Sequence, residues 1–178
     1  MIRVGFIINF NTEKWLGGFN YLKNLFICLE NYPNKKIIPI IITDNKKNLL
    51  NDNYISNFEI LETKLVSSSN IFIRLINQIL IIIFGKNIFM KKFLLKNKII
   101  AISHSGFLGK KSLVKSFPWF PDFQEIHFPE NFSYKNRVAR YIKIILSRTH
   151  SNGIIVSSKS VQNDLKKINL TAYKKSEV

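Results

Sequence analysis

Residues 4–42 read VGFIINFNTEKWLGGFNYLKNLFICLENYPNKKIIPIII, and this stretch indicates the kind of fold to expect. It begins with Val4–Ile8, an apolar run interrupted only by Gly5, which is typical of a strand covered on both faces. A helix is predicted next, because apolar residues recur at the spacing of one helical face: Leu22, Leu25, Phe26 and Leu29. Ile37–Ile42 is predicted as a second strand, and Pro39 inside it favours an edge position or a bulge.

The same alternation continues along the chain. Further strands are predicted at Glu59–Val66, Ile99–Ile102 and Gly153–Val156. Helices are predicted at Asn70–Lys96, with a break at Gly85, at Ser133–Arg148, and after Ser157 and Ser158, whose hydroxyls suit a helix cap. This order predicts an α/β fold, a Rossmann-like parallel sheet with helices on both faces. Ligands of such sheets bind beyond the carboxyl ends of the strands.

Length and composition indicate one domain in a reducing compartment. The chain has 178 residues, of which 46% are hydrophobic, enough for a single core. Cys28 is the only cysteine, so the chain cannot form an internal disulfide, and its three histidines lack metal-ligand spacing. We therefore expect a cytoplasmic protein without a metal site or other bound cofactor.

The formal net charge of +16 leaves three kinds of partner open. Nucleic acid, anionic lipid and a phosphorylated substrate would each be attracted by it. An AT-rich coding sequence, which produces many Lys, Asn and Ile codons, would explain the charge without any partner. The apolar run at residues 71–84 is too short for a membrane span and contains Arg74, so it is predicted to be a buried or partly buried helix.

The segment from Phe117 to Ser133 concentrates stiff and polar residues in what is predicted to be a loop. Its sequence is FPWFPDFQEIHFPENFS, with three prolines that fix the backbone. Asp122, Gln124 and His127 follow the aromatic turn, and polar side chains on a rigid loop are typical of a binding site. His127 is the first candidate for proton transfer, with Glu125 beside it, and a loop histidine that binds backbone is the alternative.

Other candidates follow the predicted strands. Gly17 and Gly18 stand between the first strand and its helix, where glycine allows a ligand close to free N–H groups, although a tight turn would also explain the pair. Trp15, Asn20 and Tyr21 flank these glycines. His104, Ser157 and Ser158 follow later strands and are predicted to line the same cleft, whereas His150 at a helix end is predicted to be structural.

These landmarks, in this order, resemble the N-terminal half of glycosyltransferase family 4 enzymes with the GT-B fold. The likeness rests on Trp15-x-Gly17-Gly18-x-x-Tyr21-x-x-Asn24-Leu25, on Trp119-x-Pro121-Asp122-Phe123-Gln124 with His127 and Pro129, and on Val156-Ser157-Ser158 with Asp164-Leu165. It covers nearly the whole chain. Such enzymes have two Rossmann-like domains: the first mainly holds the acceptor, and the second mainly holds a nucleotide-sugar donor.

The resemblance implies an enzyme that transfers a hexosyl group with retention of configuration and without a metal. Gly17 and Gly18 would lie near the donor phosphates, while the acceptor cleft would be lined by Trp15, Asn20, Tyr21, His104, Asp122, Gln124, Ser157 and Ser158. Relatives often have Gln-His-x-His where this chain has Gln124-Glu125-Ile126-His127, so either Glu125 or His127 would carry the catalytic role. The acceptor would be a glycan or lipid-linked, in cell-surface polysaccharide synthesis of a bacterial type.

The resemblance also implies a domain organisation. Residues 1–178 would be the acceptor-side domain, and Glu177–Val178 resembles the start of a further strand, so the donor-binding domain is expected to be absent from this chain. Without it, transfer is expected to be negligible. Two alternatives stay open: a basic nucleic-acid-binding domain, although nucleic acid is not the expected partner, and a non-catalytic partner subunit or remnant. The basic surface would also suit peripheral association with an anionic membrane at its inner face.

Overall fold

The computed structural model describes residues 1–9, 15–50, 52–67 and 71–178. Within them, one open sheet contains seven strands, and every neighbouring pair is parallel. The strands are β1 (Ile2–Ile7), β2 (Ile37–Thr43), β3 (Glu59–Glu62), β4 (Ile99–Ser105), β5 (Lys115–Phe120), β6 (Ile154–Val156) and β7 (Ser176–Glu177). The predicted parallel α/β sheet is therefore confirmed.

Helices connect these strands. They are α1 (Leu16–Asn31), α2 (Lys47–Leu50), α3 (Ile71–Phe84), α4 (Ile88–Lys96), α5 (Gln124–His127), α6 (Tyr134–His150), α7 (Lys159–Ile168) and α8 (Leu170–Tyr173), with short 3₁₀ helices at Ile55–Asn57, Lys64–Val66 and Pro129–Asn131. Asn70, the predicted start of one helix, lies outside the described residues. The predicted break at Gly85 is confirmed, since α3 ends there and Gly85 has φ +68°.

Two cores cover the two faces of the sheet. Side chains alternate along β2, so Ile41 packs on one face in a cluster with Phe26 of α1, while Ile40 and Ile42 pack on the other with Leu94 of α4. All five are buried. A third cluster joins β5 and β6 to helices α6, α7 and α8. This alternation confirms the expectation of helices on both faces.

The strand order places a crevice at the carboxyl edge of the sheet. It runs β3-β2-β1-β4-β5-β6-β7, so the chain builds outward in one direction from β1 and then reverses at β4. At such a reversal the connections leave in opposite directions, which opens a crevice beyond the carboxyl ends of the two central strands. The residues that follow β1 and β4 are therefore placed to contact a ligand.

Pro39 does not mark an edge strand, because β2 lies between β1 and β3. Thr43 O accepts a hydrogen bond from Thr63 N, whereas Ile42 O accepts from Ile8 N. The backbone N–H and C=O groups of the odd-numbered residues of β2 therefore point toward β3. The first residue of β3, Glu59, pairs with Ile40. The N–H that Pro39 lacks would thus point beyond the start of β3, and no ladder hydrogen bond is lost.

The structure corrects several predicted boundaries. The proline-rich segment is not loop from its start, because Lys115–Phe120 forms β5 between β4 and β6. Gly17 and Gly18 belong to the first turn of α1 and not to a loop before it. The third strand ends at Glu62, and a 3₁₀ helix follows it. Ser158 caps α7 through Val161 N, as predicted.

Helix α3 is partly buried, which is the second of the two predicted states, and most of its described side chains are exposed. Phe72, Ile79 and Ile83 are among its exposed apolar residues. Of the α3 residues whose side chains are described, Ile81 is buried. The sequence pattern does not show how little of this helix is covered, because apolar periodicity shows that a helix has one apolar side without showing what that side contacts. No helix in the described part of the chain has the length and apolar character needed to cross a bilayer.

Candidate functional site

A cavity of about 780 Å³ opens at the carboxyl edge of the sheet. It lies at the reversal of strand order, where the ends of β1, β4 and β5 meet. Four of the predicted site residues line it: Trp15, His104, Asp122 and Glu125. Trp119, Arg140 and Lys143 line it as well and were not among the predicted site residues. The cavity therefore combines aromatic, carboxylate and cationic side chains.

One wall of the cavity is aromatic. The ring of Trp119 stacks on Tyr21 at 4.4 Å between centroids and 18° between planes, and Trp15 lies 5.8 Å from Trp119. Gly18 allows this arrangement, because a Cβ at that position would lie 2.5 Å from the indole of Trp15. Gly18 is thus required for packing in this structure, whereas nothing lies within 4 Å of a Cβ built on Gly17.

His104 stands at the centre of this wall. It lies near the carboxyl end of β4, where the pairing with β5 shifts register between Ser103 and Ser105, and its φ of +55° is in the left-handed region. Its Nδ1 is 2.9 Å from the hydroxyl of Ser103, and its Nε2 is 3.3 Å from the hydroxyl of Tyr21. A non-glycine residue held in this conformation stores strain, which is most frequent at functional sites.

Burial lowers the pKa of His104 from 6.5 to about 4. The imidazole is therefore neutral at physiological pH, and it can donate one hydrogen bond and accept another. A neutral imidazole among aromatic rings is suited to bind a hydroxyl group, and its low pKa makes it a weak base.

The same shift makes stability depend on pH. The folded pKa of about 4 is below the unfolded value of 6.5, so the unfolded chain binds the proton more readily between these values. When the pH is lowered from 7 to 5, the native chain should lose more unfolding free energy than the His104→Asn variant. The difference between the two losses is expected to be about 2 kcal/mol. Asn is the matched control because it tolerates positive φ and does not titrate. Urea unfolding at each pH measures this difference, and equal losses would contradict a buried neutral His104.

The opposite wall is charged. Arg140 of α6 binds the buried Glu125 at 2.8 Å and lies 3.5 Å from Asp122, so one guanidinium joins two carboxylates. Arg140 also covers the ring of Phe132, with 4.9 Å to its centroid. Lys143 lies one turn further along α6, 5.1 Å above the ring of Phe120. Desolvation and the nearby Arg140 lower the pKa of Lys143.

His127 lies elsewhere. Its side chain is half exposed and does not line the cavity; its Nε2 is 2.7 Å from Oδ2 of Asp164. The hydrogen bond with His127 lowers the pKa of Asp164 and ties α5 to α7. Only Glu125 of the two predicted catalytic residues therefore reaches the cavity, and the catalytic role of either stays a prediction.

The remaining predicted residues do not line the cavity. Asn20 and Gln124 are exposed on α1 and α5. Ser157 donates to Pro121 O at 2.6 Å, which holds the loop after β5 against the end of β6. Ser158 caps α7. Tyr21 contributes indirectly, through its contacts with His104 and Trp119.

Within the described residues, no three His, Cys, Asp or Glu side chains are grouped so that they could hold a metal ion. The carboxylates of the cavity are instead engaged by Arg140. A search against protein-family models matched none of them, and a search of curated proteins found no similar sequence.

Proposed function

We propose that this chain is the acceptor-side domain of a glycosyltransferase that moves a sugar from a nucleotide-sugar to a glycan or lipid-linked acceptor. One observation carries the proposal: a large cavity at the reversal of strand order, with aromatic rings on one wall and paired charges on the other. Pockets of this size at this position of an α/β sheet suit small organic ligands. The resemblance to glycosyltransferase family 4 supplies the reaction class.

The aromatic wall suits a sugar ring. Trp15 is 41% exposed and offers a flat apolar surface, backed by the buried Trp119. The C–H face of a sugar can pack on such a surface while its hydroxyls stay free. His104, neutral and near these rings, is proposed to bind the acceptor hydroxyl that attacks the donor through its Nε2, in place of the Tyr21 hydroxyl 3.3 Å away. Asp122 and Glu125 provide acceptor oxygens for further hydroxyls, and recognition of hydroxyls by such groups gives strong discrimination.

The cationic side chains suit a phosphate on the acceptor. Both carboxylates contact Nη1 of Arg140, so its Nη2 and Nε are placed to bind a phosphate. Lys143 adds a second positive charge on the same helix. A lipid-linked acceptor, in which a phosphate joins the sugar to an alkyl chain, would use both walls at once. We therefore favour this class over a free glycan.

The proposed partner on the other side of the cleft is a nucleotide-sugar bound mainly by a second domain. Gly17 and Gly18, in the first turn of α1, would lie near the donor phosphates. Transfer would retain configuration and need no metal, as the resemblance implies. The proposed location is the cytoplasm, with peripheral association at the inner face of the membrane, where a lipid-linked acceptor would be met.

Tryptophan fluorescence tests acceptor binding directly, because both tryptophans of the chain line the cavity. We expect a polyprenyl-phosphate-linked sugar to give saturable quenching, and UDP- or GDP-sugars to give none. Arg140→Gln should weaken the binding by at least about tenfold, since a hydrogen bond to a charged group is lost. Arg137→Gln on the same helix lies outside the cavity lining and is the matched control.

Two results would contradict the proposal. Quenching by nucleotide-sugars alone would mean that the cavity is a donor site, and equal weakening by both arginine variants would mean that the ligand binds α6 non-specifically. Thermal melting of each variant verifies that it is folded. Sugar turnover by the isolated chain would show that a second domain is not needed.

A further inference from the structure

The outer face of α3 is apolar. Phe72, Ile76, Ile79 and Ile83 are 74%, 48%, 51% and 67% exposed. Their spacing of three and four residues places them on one side of the helix. Leu75 and Ile82 are exposed beside them. A surface helix normally turns its apolar stripe toward the core, so this orientation leaves a contiguous apolar surface open to another phase or partner.

The next helix also exposes apolar side chains, which are mixed with lysines. On α4, Phe89 and Leu95 are exposed apolar residues, and Lys92 and Lys96 are exposed on the same helix. Apolar side chains interspersed with lysines are typical of helices that lie in the interface of a bilayer. We call the exposed residues of α3 and α4 the α3–α4 face.

The stretch of sequence between Glu62 and Asp122, which contains α3 and α4, has charges of a single sign. No Asp or Glu occurs between Glu62 and Asp122, while ten basic residues do: Lys64, Arg74, Lys86, Lys91, Lys92, Lys96, Lys98, Lys110, Lys111 and Lys115. A coding bias toward lysine does not explain the complete lack of acids here, because eleven acidic residues occur elsewhere in the chain. The exposed lysines of this stretch, among them Lys92, Lys96, Lys110 and Lys111, suit an anionic partner.

Two of these lysines are fixed at the junction of the helices. Lys111 N donates to Gly85 O at 2.9 Å, and Asn87 N donates to Leu108 O at 3.0 Å, so the loop that carries Lys110 and Lys111 packs on the turn between α3 and α4. Both lysine side chains are exposed. The apolar stripe therefore ends in a cationic cluster at its α4 end.

We propose that the α3–α4 face binds the surface of an anionic membrane. The apolar side chains would enter the boundary between head groups and acyl chains, and the lysines would contact the anionic head groups. A duplex nucleic acid offers no apolar phase for Phe72, Ile79 and Ile83, and a second copy of the chain would bring two cationic surfaces together.

The geometry links this surface to the cavity. Gln78 and Ile81 of α3 line the cavity, so the helix separates the cavity from the α3–α4 face. A docked chain would present the cavity next to the lipid, where the alkyl part of an acceptor remains embedded. This inference locates the membrane association that forms part of the proposed function, and it does not depend on sugar transfer.

Vesicle sedimentation tests the proposal with the 178-residue chain. We expect binding to vesicles of phosphatidylglycerol and phosphatidylcholine that decreases as salt increases, and much weaker binding to phosphatidylcholine alone. Ile79→Asp should reduce binding by at least about tenfold, because it places a charge in the apolar boundary. Ile142→Asp on α6 is the matched control, because Ile142 is 48% exposed, close to the exposure of Ile79. This variant should bind vesicles like the native chain.

A second variant tests the electrostatic part. Lys110→Glu with Lys111→Glu should weaken binding to anionic vesicles by at least about 25-fold, at about fivefold for each positive charge removed. The proposal is overturned if Ile79→Asp and Ile142→Asp bind equally, if Ile79→Asp instead dissociates a dimer seen by light scattering, or if the face binds duplex DNA and not vesicles. Vesicle binding without acceptor quenching would support this inference and contradict the proposed function.

Discussion

Trp119→Ala is expected to lower the free energy of unfolding by about 4 kcal/mol, in the range typical of removing a buried large aromatic side chain. Trp119 is buried, stacks on Tyr21 and contacts the rings of His104 and Trp15. Its removal would leave a cavity among three rings that the end of β4 and the start of α1 hold in place, so they cannot collapse freely into the space. Urea unfolding followed by circular dichroism measures the loss.

Trp119→Phe is the matched control for this prediction. The indole Nε1 is buried without a hydrogen-bond partner among the described residues, so phenylalanine forfeits no hydrogen bond there. A ring still stacks on Tyr21, and we expect a loss of at most about 2 kcal/mol. If the alanine variant were no less stable than the phenylalanine variant, the aromatic wall would not pack as described.

Gly109→Ala is expected to cost at least about 3 kcal/mol, because it combines backbone strain with a steric clash. Gly109 has φ +97°, and a Cβ there would lie 2.2 Å from Gly85 O. Its N–H also donates to His150 O at 3.0 Å, so the residue joins the end of α6 to the turn between α3 and α4. Thermal and urea unfolding both report this loss.

Gly106→Ala tests whether the cost at position 109 comes from its geometry. Gly106 is in the same connection between β4 and β5, its φ is not in the left-handed region, and nothing lies within 4 Å of a Cβ built there. We expect a change within about 0.5 kcal/mol, as for an ordinary surface substitution. Similar losses in both variants would show that any side chain is poorly tolerated in this connection.

The fold was predictable where local patterns and tertiary demands agree. The apolar stripe of α1 and the Ser158 cap of α7 follow from spacing and from hydrogen-bonding chemistry alone. β5 was not predicted, because prolines such as Pro118 and Pro121 are rare in central strands. Its pairing with both β4 and β6 is visible only in the structure. The prediction that Pro39 marks an edge strand was wrong. The missing N–H of a proline weakens a sheet only where a neighbouring strand would have accepted a hydrogen bond from it.

The candidate site was predictable in part for the same reason. His104 was predicted because it follows the apolar run Ile99–Ile102, which forms most of β4, and the carboxyl ends of parallel strands converge on one edge. Asp122 was predicted because it lies in the rigid proline-rich segment. Trp119 was not predicted as a site residue, because the strand that carries it, β5, was predicted to be a loop. Arg140 and Lys143 belong to a helix that the sequence shows only as amphipathic, and spacing cannot tell which charges turn inward. His127 sits in the rigid segment as expected, but its ring binds Asp164 of α7.

Photo-crosslinking tests the central claim, that the cavity holds a lipid-linked acceptor, most directly. A polyprenyl-phosphate-linked sugar carrying a diazirine on the sugar would be irradiated with the chain, and the adducts would be located by peptide mass spectrometry. We expect adducts in residues 102–108 and 119–125, and competition by unlabelled acceptor. Adducts confined to the exposed residues of α3 and α4, or spread without competition, would contradict it.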